Sequence, residues 1–84
     1  MDSAGIEEKL KDIIKPYIGD EEAFNNLTPS TNLLSDLKIN SAHLVDVILD
    51  AEEAFDIEID DDNAEKMLTV QASVDIITQK LKEK

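Results

Sequence analysis

Ser41 and His43 stand two residues apart where a helix is predicted to begin. Behind them come Asp46, Asp50, Glu52 and Glu53, with no basic residue until Lys66. A hydroxyl, an imidazole and carboxylates are the raw material of nucleophilic catalysis. Their spacing does not assemble them. Side chains at i and i+2 on a helix do not face each other, so His43 is badly placed to act as a base for Ser41. His43 is the sole histidine, and no Gly-x-Ser-x-Gly elbow surrounds Ser41. The pattern points to a serine presented to partner enzymes. A phosphate ester there would meet free backbone N–H groups and the positive end of the helix dipole. The plainer use of the same hydroxyl is to cap the helix.

The helix behind Ser41 has two faces at about 100° per residue. Leu44, Val47, Ile48, Ala51 and Phe55 form the core side, centred on Leu44 and Phe55. The outward side carries Ala42, Val45, Asp46, Leu49 and Glu53, with Asp50 and Glu52 toward its edges. Carboxylates can steer a basic partner while small apolar residues supply desolvated contact. A solvated face with two stray apolar residues fits the same pattern. The run Asp56 to Asp62 does not make a calcium loop. Counted from Asp56, Asp61 stands where the loop needs Gly and Met67 where it needs a bidentate Glu. No metal site is expected.

Four helical segments must position these residues. Ile6, Leu10, Ile13, Ile14 and Tyr17 form one stripe from Ser3 to Lys15, with Asp2 or Ser3 as cap and Pro16 as terminator. The second helix runs from 41 to 55. A short third runs from about Asp61 to Met67. Thr69 caps a fourth with the stripe Val70, Val74, Ile77 and Leu81, and Lys80, Lys82 and Lys84 suit its negative end. Between the first two lies a long connection, residues 19 to 40, punctuated by Gly19, Pro29 and several Asn, Ser and Thr. Phe24, Leu27, Leu33, Leu34, Leu37 and Ile39 are too apolar to lie in water together. An ordered loop over the core, with room for a short helical turn, is expected. The fold class is therefore all-α: a small four-helix bundle, three longer helices plus a short third, with a long ordered loop between the first and second.

Composition narrows the function. The 84 residues make one domain, 1-84, with a thin core. Twenty acids face eight bases, all of them Lys, for a formal charge of −12. Nucleic acid and anionic membrane surfaces are poor partners for such a chain, and a Lys/Arg-rich protein patch is a good one. There is no Cys, so any thiol chemistry needs a thiol from a cofactor. No apolar stretch reaches membrane-spanning length, and Met1-Asp2-Ser3-Ala4 lacks a basic-then-apolar signal pattern. A cytoplasmic monomer without membrane insertion is expected.

The stretch from Asn40 through Ser41-Ala42-His43-Leu44-Val45-Asp46 to Ile59 closely resembles the core of acyl carrier proteins. Asp61 to Met67 and Thr69 to Ile77 resemble that family's third and fourth helices, without gaps from Leu37 onward. The resemblance implies a carrier and not an enzyme. It implies a 4′-phosphopantetheine from coenzyme A on Ser41, whose terminal thiol carries acyl intermediates of fatty acid or related lipid biosynthesis as thioesters. It implies a phosphopantetheinyl transferase and basic-patch synthases, ligases or acyltransferases as partners, met by Asp46, Glu52 and Glu53 with Ala42, Val45 and Leu49. It also implies an acyl chain that enters the bundle, with Leu44, Ile48, Phe55, Ile59, Met67 and Leu68 as candidate lining; each is equally explained as core. Three departures stand out. Asn40-Ser41-Ala42 replaces the usual Asp-Ser-Leu, Lys38-Ile39 stands where a Gly is common, and Asp60 stands where Pro is frequent. They point to a specialised member. Amino acid or polyketide intermediates are an alternative cargo, and an unmodified helical interaction module is an alternative of another class.

Overall fold

The computed structural model describes residues 3 to 83. Among these residues five α-helices lie in this order: α1 Ser3–Ile14, α2 Glu21–Asn25, α3 Ser41–Phe55, α4 Asp61–Lys66 and α5 Val70–Lys82. A 3-10 turn, Lys15–Tyr17, extends α1. The cap expected from Asp2 or Ser3, and the charge of Lys84, lie outside what the structure describes.

Helix α1 buries Ile6, Leu10 and Ile14, the i, i+4, i+8 stripe, against α3 and α5. Pro16 tightens the chain into the 3-10 turn, as its missing N–H requires. Helix α3 buries Val47 and Ala51 fully and Phe55 nearly so, while Leu44 and Ile48 are only half-buried. The centre of the core face is thus rotated from Leu44 toward Val47 and Ala51. Helix α5 contributes Val70, Val74 and Ile77, and the buried Ser73 hydroxyl satisfies itself by donating to the Thr69 carbonyl at 2.9 Å.

The long connection is ordered by hydrogen bonds as well as by its leucines. Leu33 and Leu37 are fully buried, and Ile39 nearly so. Leu33 N–H donates to the Leu68 carbonyl at 2.8 Å, Val70 N–H to Thr31 at 3.1 Å and Gln71 N–H to Pro29 at 2.9 Å. The loop therefore straps the junction of α4 and α5. Helix α2 within it starts at Asp20, whose carboxylate accepts from Ala23 N–H at 3.0 Å. Helix α4 starts the same way, with Asp60 accepting from Asn63 N–H at 3.0 Å, and ends at Lys66, one residue before the expected Met67. That bond to Asn63 holds the Asp60 carboxyl below its ordinary 3.8, against the opposing effect of burial and with help from Lys80.

Candidate functional site

Ser41 is the first residue of α3, and its side chain is exposed. The cap is its neighbour. Asn40 is extended (φ −62°, ψ 137°), and its Oδ1 accepts from Ala42 N–H at 2.9 Å. The Asn40 carbonyl takes the next two donors, His43 N–H at 2.8 Å and Leu44 N–H at 3.1 Å. Ser41 is thereby relieved of the capping role the sequence offered it. Among the described residues, its hydroxyl makes no hydrogen bond. A free hydroxyl on a rigid helix start, open to solvent, is a nucleophile that a second enzyme can reach.

The approach to Ser41 is strained. Lys38 has φ 56°, in the left-handed region that glycine enters without penalty. The backbone on either side fixes it there: Gly19 N–H donates to the Leu37 carbonyl at 2.8 Å, and Ile39 N–H donates to Leu33 at 3.1 Å. Gly19 lies so close that a Cβ on it would meet the Lys38 carbonyl oxygen at 2.8 Å, and only glycine fits there. The Lys38 ammonium lies 4.0 Å from the Asp20 carboxylate, an open ion pair with the lysine side chain 67% exposed.

On the outward face of α3, Val45 and Leu49 are 57% and 56% exposed, beside exposed Ala42, Asp46 and Glu53. These five share one solvent face. Glu52 does not belong with them. It is half-buried, and its Oε2 accepts from Ile59 N–H at 2.8 Å, tying α3 to the segment before α4. Its first task is structural, and no helical periodicity reveals a bond seven residues along the chain. Asp50 is also engaged: Tyr17 OH donates to its Oδ2 at 2.9 Å. The Tyr17 ring lies 5.6 Å from the exposed His43 ring, tilted by 48°. His43 therefore packs against the turn that extends α1 and makes no hydrogen bond to the Ser41 hydroxyl; the place of Tyr17 in the stripe was legible, its reach to Asp50 and His43 was not.

Of the interior candidates, Phe55, Ile59 and Met67 lie in the buried cluster, and Leu44 and Ile48 pack against it. Leu68 is 40% exposed and stands outside that cluster. Its backbone, not its side chain, is used, through the bond from Leu33. One surface depression is lined by Asp56, Ile57, Glu58, Lys80 and Glu83. Another is lined by Glu52, Glu58, Ile59, Asp60 and Lys80. Lys80 is thus the cation set among the acids of the 52–60 region, and it pairs with Glu83 at 3.5 Å. Among the described residues, no cluster of His, Asp and Glu could hold a metal ion, and no helix is long and apolar enough to cross a membrane.

No protein-family model matches the sequence. Individual proteins do. The chain is 41% identical over 75 residues to the acyl carrier protein of Desulforapulum autotrophicum, covering 89% of this chain and 96% of that one. It is 37% identical over 79 residues to the acyl carrier protein of Rubrobacter xylanophilus, covering 94% and 95%. A solved structure of acyl carrier protein from Enterococcus faecalis superposes with a TM-score of 0.78 at 31% identity, covering 95% of this chain and 99% of that one. A shared fold, near-complete mutual coverage and this level of identity agree: the chain belongs to the acyl carrier protein family.

Proposed function

We propose that this protein is a discrete acyl carrier whose Ser41 bears a 4′-phosphopantetheine arm. The observation that carries the reading is the division of labour at the start of α3: Asn40 caps the helix, and Ser41 is left exposed with a free hydroxyl. The residues fit the group. Ser41 Oγ can form the phosphodiester without disturbing a structural bond, and the helix start favours the negative charge it brings. When bound, the group supplies the thiol that this cysteine-free chain lacks and holds acyl groups as thioesters. The chain itself presents, orients and is recognised; the chemistry belongs to its partners.

Docking falls to the exposed face of α3. Asp46 and Glu53 supply charge, and Ala42, Val45 and Leu49 supply apolar contact, for a phosphopantetheinyl transferase and for basic-patch synthases, ligases or acyltransferases. Leu44, Ile48, Phe55, Ile59 and Met67 are the side chains an acyl chain entering the bundle would part. Large aliphatic residues dominate that interior, which favours fatty cargo. A cytoplasmic, monomeric carrier goes with this reading.

The test is an intact mass after incubation with coenzyme A and a broad-specificity phosphopantetheinyl transferase, with Ser41→Ala in parallel. One phosphopantetheine gained by the wild type and absent from the variant is the expected result. No gain in either protein, with transferase proved active on another carrier, favours the interaction module.

A further inference from the structure

We propose that Lys38 is the residue that holds the phosphodiester of the arm on Ser41. This rests on the reading of Ser41 given above. Lys38 is the only lysine between Lys15 and Lys66, and it stands three residues before Ser41 in a stretch with a great excess of acids. A phosphodiester adds one more negative charge to a molecule already at −12, and a local cation adds to the helix start in offsetting it.

Reach allows it. Three residues of extended chain span at most about 11 Å, and a lysine side chain together with the offset of the phosphate from the Ser41 backbone covers that distance. Geometry keeps the position fixed. Lys38 is locked at φ 56° by the hydrogen bonds of Leu37 and Ile39 on either side and by the close approach of Gly19. Glycine would sit there without strain, so the lysine is kept at a cost to stability, and strained residues concentrate where a side chain has a task. Its present partner does not fully occupy it. Asp20 lies 4.0 Å away in an exposed pair, and the other oxygen of that carboxylate is committed to capping α2. A phosphodiester is a permanent anion and can displace so loose a partner.

The experiment uses the protein loaded with phosphopantetheine by the transferase, freed of magnesium, as wild type, Lys38→Arg, Lys38→Gln and Lys38→Gly. The readout is the 31P resonance of the phosphodiester, followed from low to high salt, with circular dichroism on each sample to establish folding. In the wild type and Lys38→Arg, the resonance is expected to move with salt as the ion pair is screened. In Lys38→Gln and Lys38→Gly it should already sit at the high-salt position and stay there. Lys38→Gly removes the backbone strain as well as the charge, so agreement between the two neutral variants assigns the effect to charge. A resonance in Lys38→Gln that follows the wild type at every salt concentration overturns the proposal, and Lys38 is then only the partner of Asp20. Failure of the wild type to gain the mass of the arm removes the reading of Ser41 and this proposal together. Mass gain with a 31P line indifferent to Lys38 removes this proposal alone.

Discussion

At the scale of single residues, the start of α3 gives the cap to Asn40 and leaves the exposed Ser41 hydroxyl out of it. Because Asn40 supplies the cap, Asn40→Ala should cost about 1 kcal/mol, whereas Ser41→Ala should leave stability nearly unchanged while abolishing modification. Thermal unfolding of the two variants checks the order; a larger loss for Ser41→Ala would refute the assignment of the cap. Lys38→Gly should raise stability by roughly 0.5–1 kcal/mol, because the left-handed penalty it relieves exceeds the unfolded-state entropy glycine adds. Tyr17 introduces a pH dependence. Its hydroxyl is held above the ordinary 10.0, first by the bond to Asp50, then by partial burial and by the charges of Asp50 and Asp46. A proton bound more tightly in the folded state gives stability that is full below the unfolded value and is lost as pH rises through the folded one. Tyr17→Phe should therefore flatten the fall in Tm as pH rises above about 10. Parallel curves for both proteins would show that the tyrosine does not carry it.

At the scale of elements, the sequence was most legible where one periodicity governed a whole segment. The bounds of α3 match the expected 41 to 55, and Thr69 caps α5 as its position offered, whereas the Asp60 cap of α4 was not read from the sequence. The Ile6, Leu10, Ile14 stripe of α1 is the one the spacing gives. The loop was legible only as too apolar to be a linker. Its register depends on the backbone bonds from Leu33, Val70 and Gln71, and nothing in local composition specifies a partner more than thirty residues away. Ser41 at the start of α3 was readable from type and position, but not the transfer of its cap to Asn40. The same limit hid the dual character of Glu52, which looks like one more acid on a docking face until its bond to Ile59 N–H is seen. The two kinds of acid should separate by experiment. Glu52→Ala strands a part-buried N–H and should lower stability by about 1–3 kcal/mol. Asp46→Lys and Glu53→Lys should leave unfolding almost unchanged, yet slow encounter with a basic partner and flatten its salt dependence. Stopped-flow association across a salt series distinguishes them, and a Glu53→Lys rate equal to wild type at low salt would move the docking face elsewhere.

At the scale of the whole molecule, charge opposes the fold that its helices assemble. The molecule measures 35 × 25 × 19 Å and carries a net charge of −12. At 0.01 M ionic strength the screening length is about 30 Å, so nearly every acid feels every other; at 1 M it is about 3 Å, and only touching charges interact. Among the described residues the favourable pairs lost to screening are few: Lys11 with Glu8 and Lys38 with Asp20, each with one largely exposed partner, and Lys80 with Glu83, whose lysine is 19% exposed. Surface pairs of this kind contribute little, whereas self-repulsion at high net charge acts against the compact state as a whole. The balance of signs is therefore settled by the unpaired acids, and added sodium chloride should stabilise. For a domain of this size, each 1 kcal/mol gained raises Tm by about 4–8 °C, so the change from low to high salt should be readily measurable. Lys80, set among Glu52, Glu58 and Asp60, gives the control. Removing it in Lys80→Gln should lower Tm at low salt, with the difference from wild type shrinking as salt is added, because its attraction to those acids is screened along with their repulsion. A wild-type Tm that falls with sodium chloride would mean that the ion pairs outweigh the repulsion and that the acidic surface costs the fold nothing.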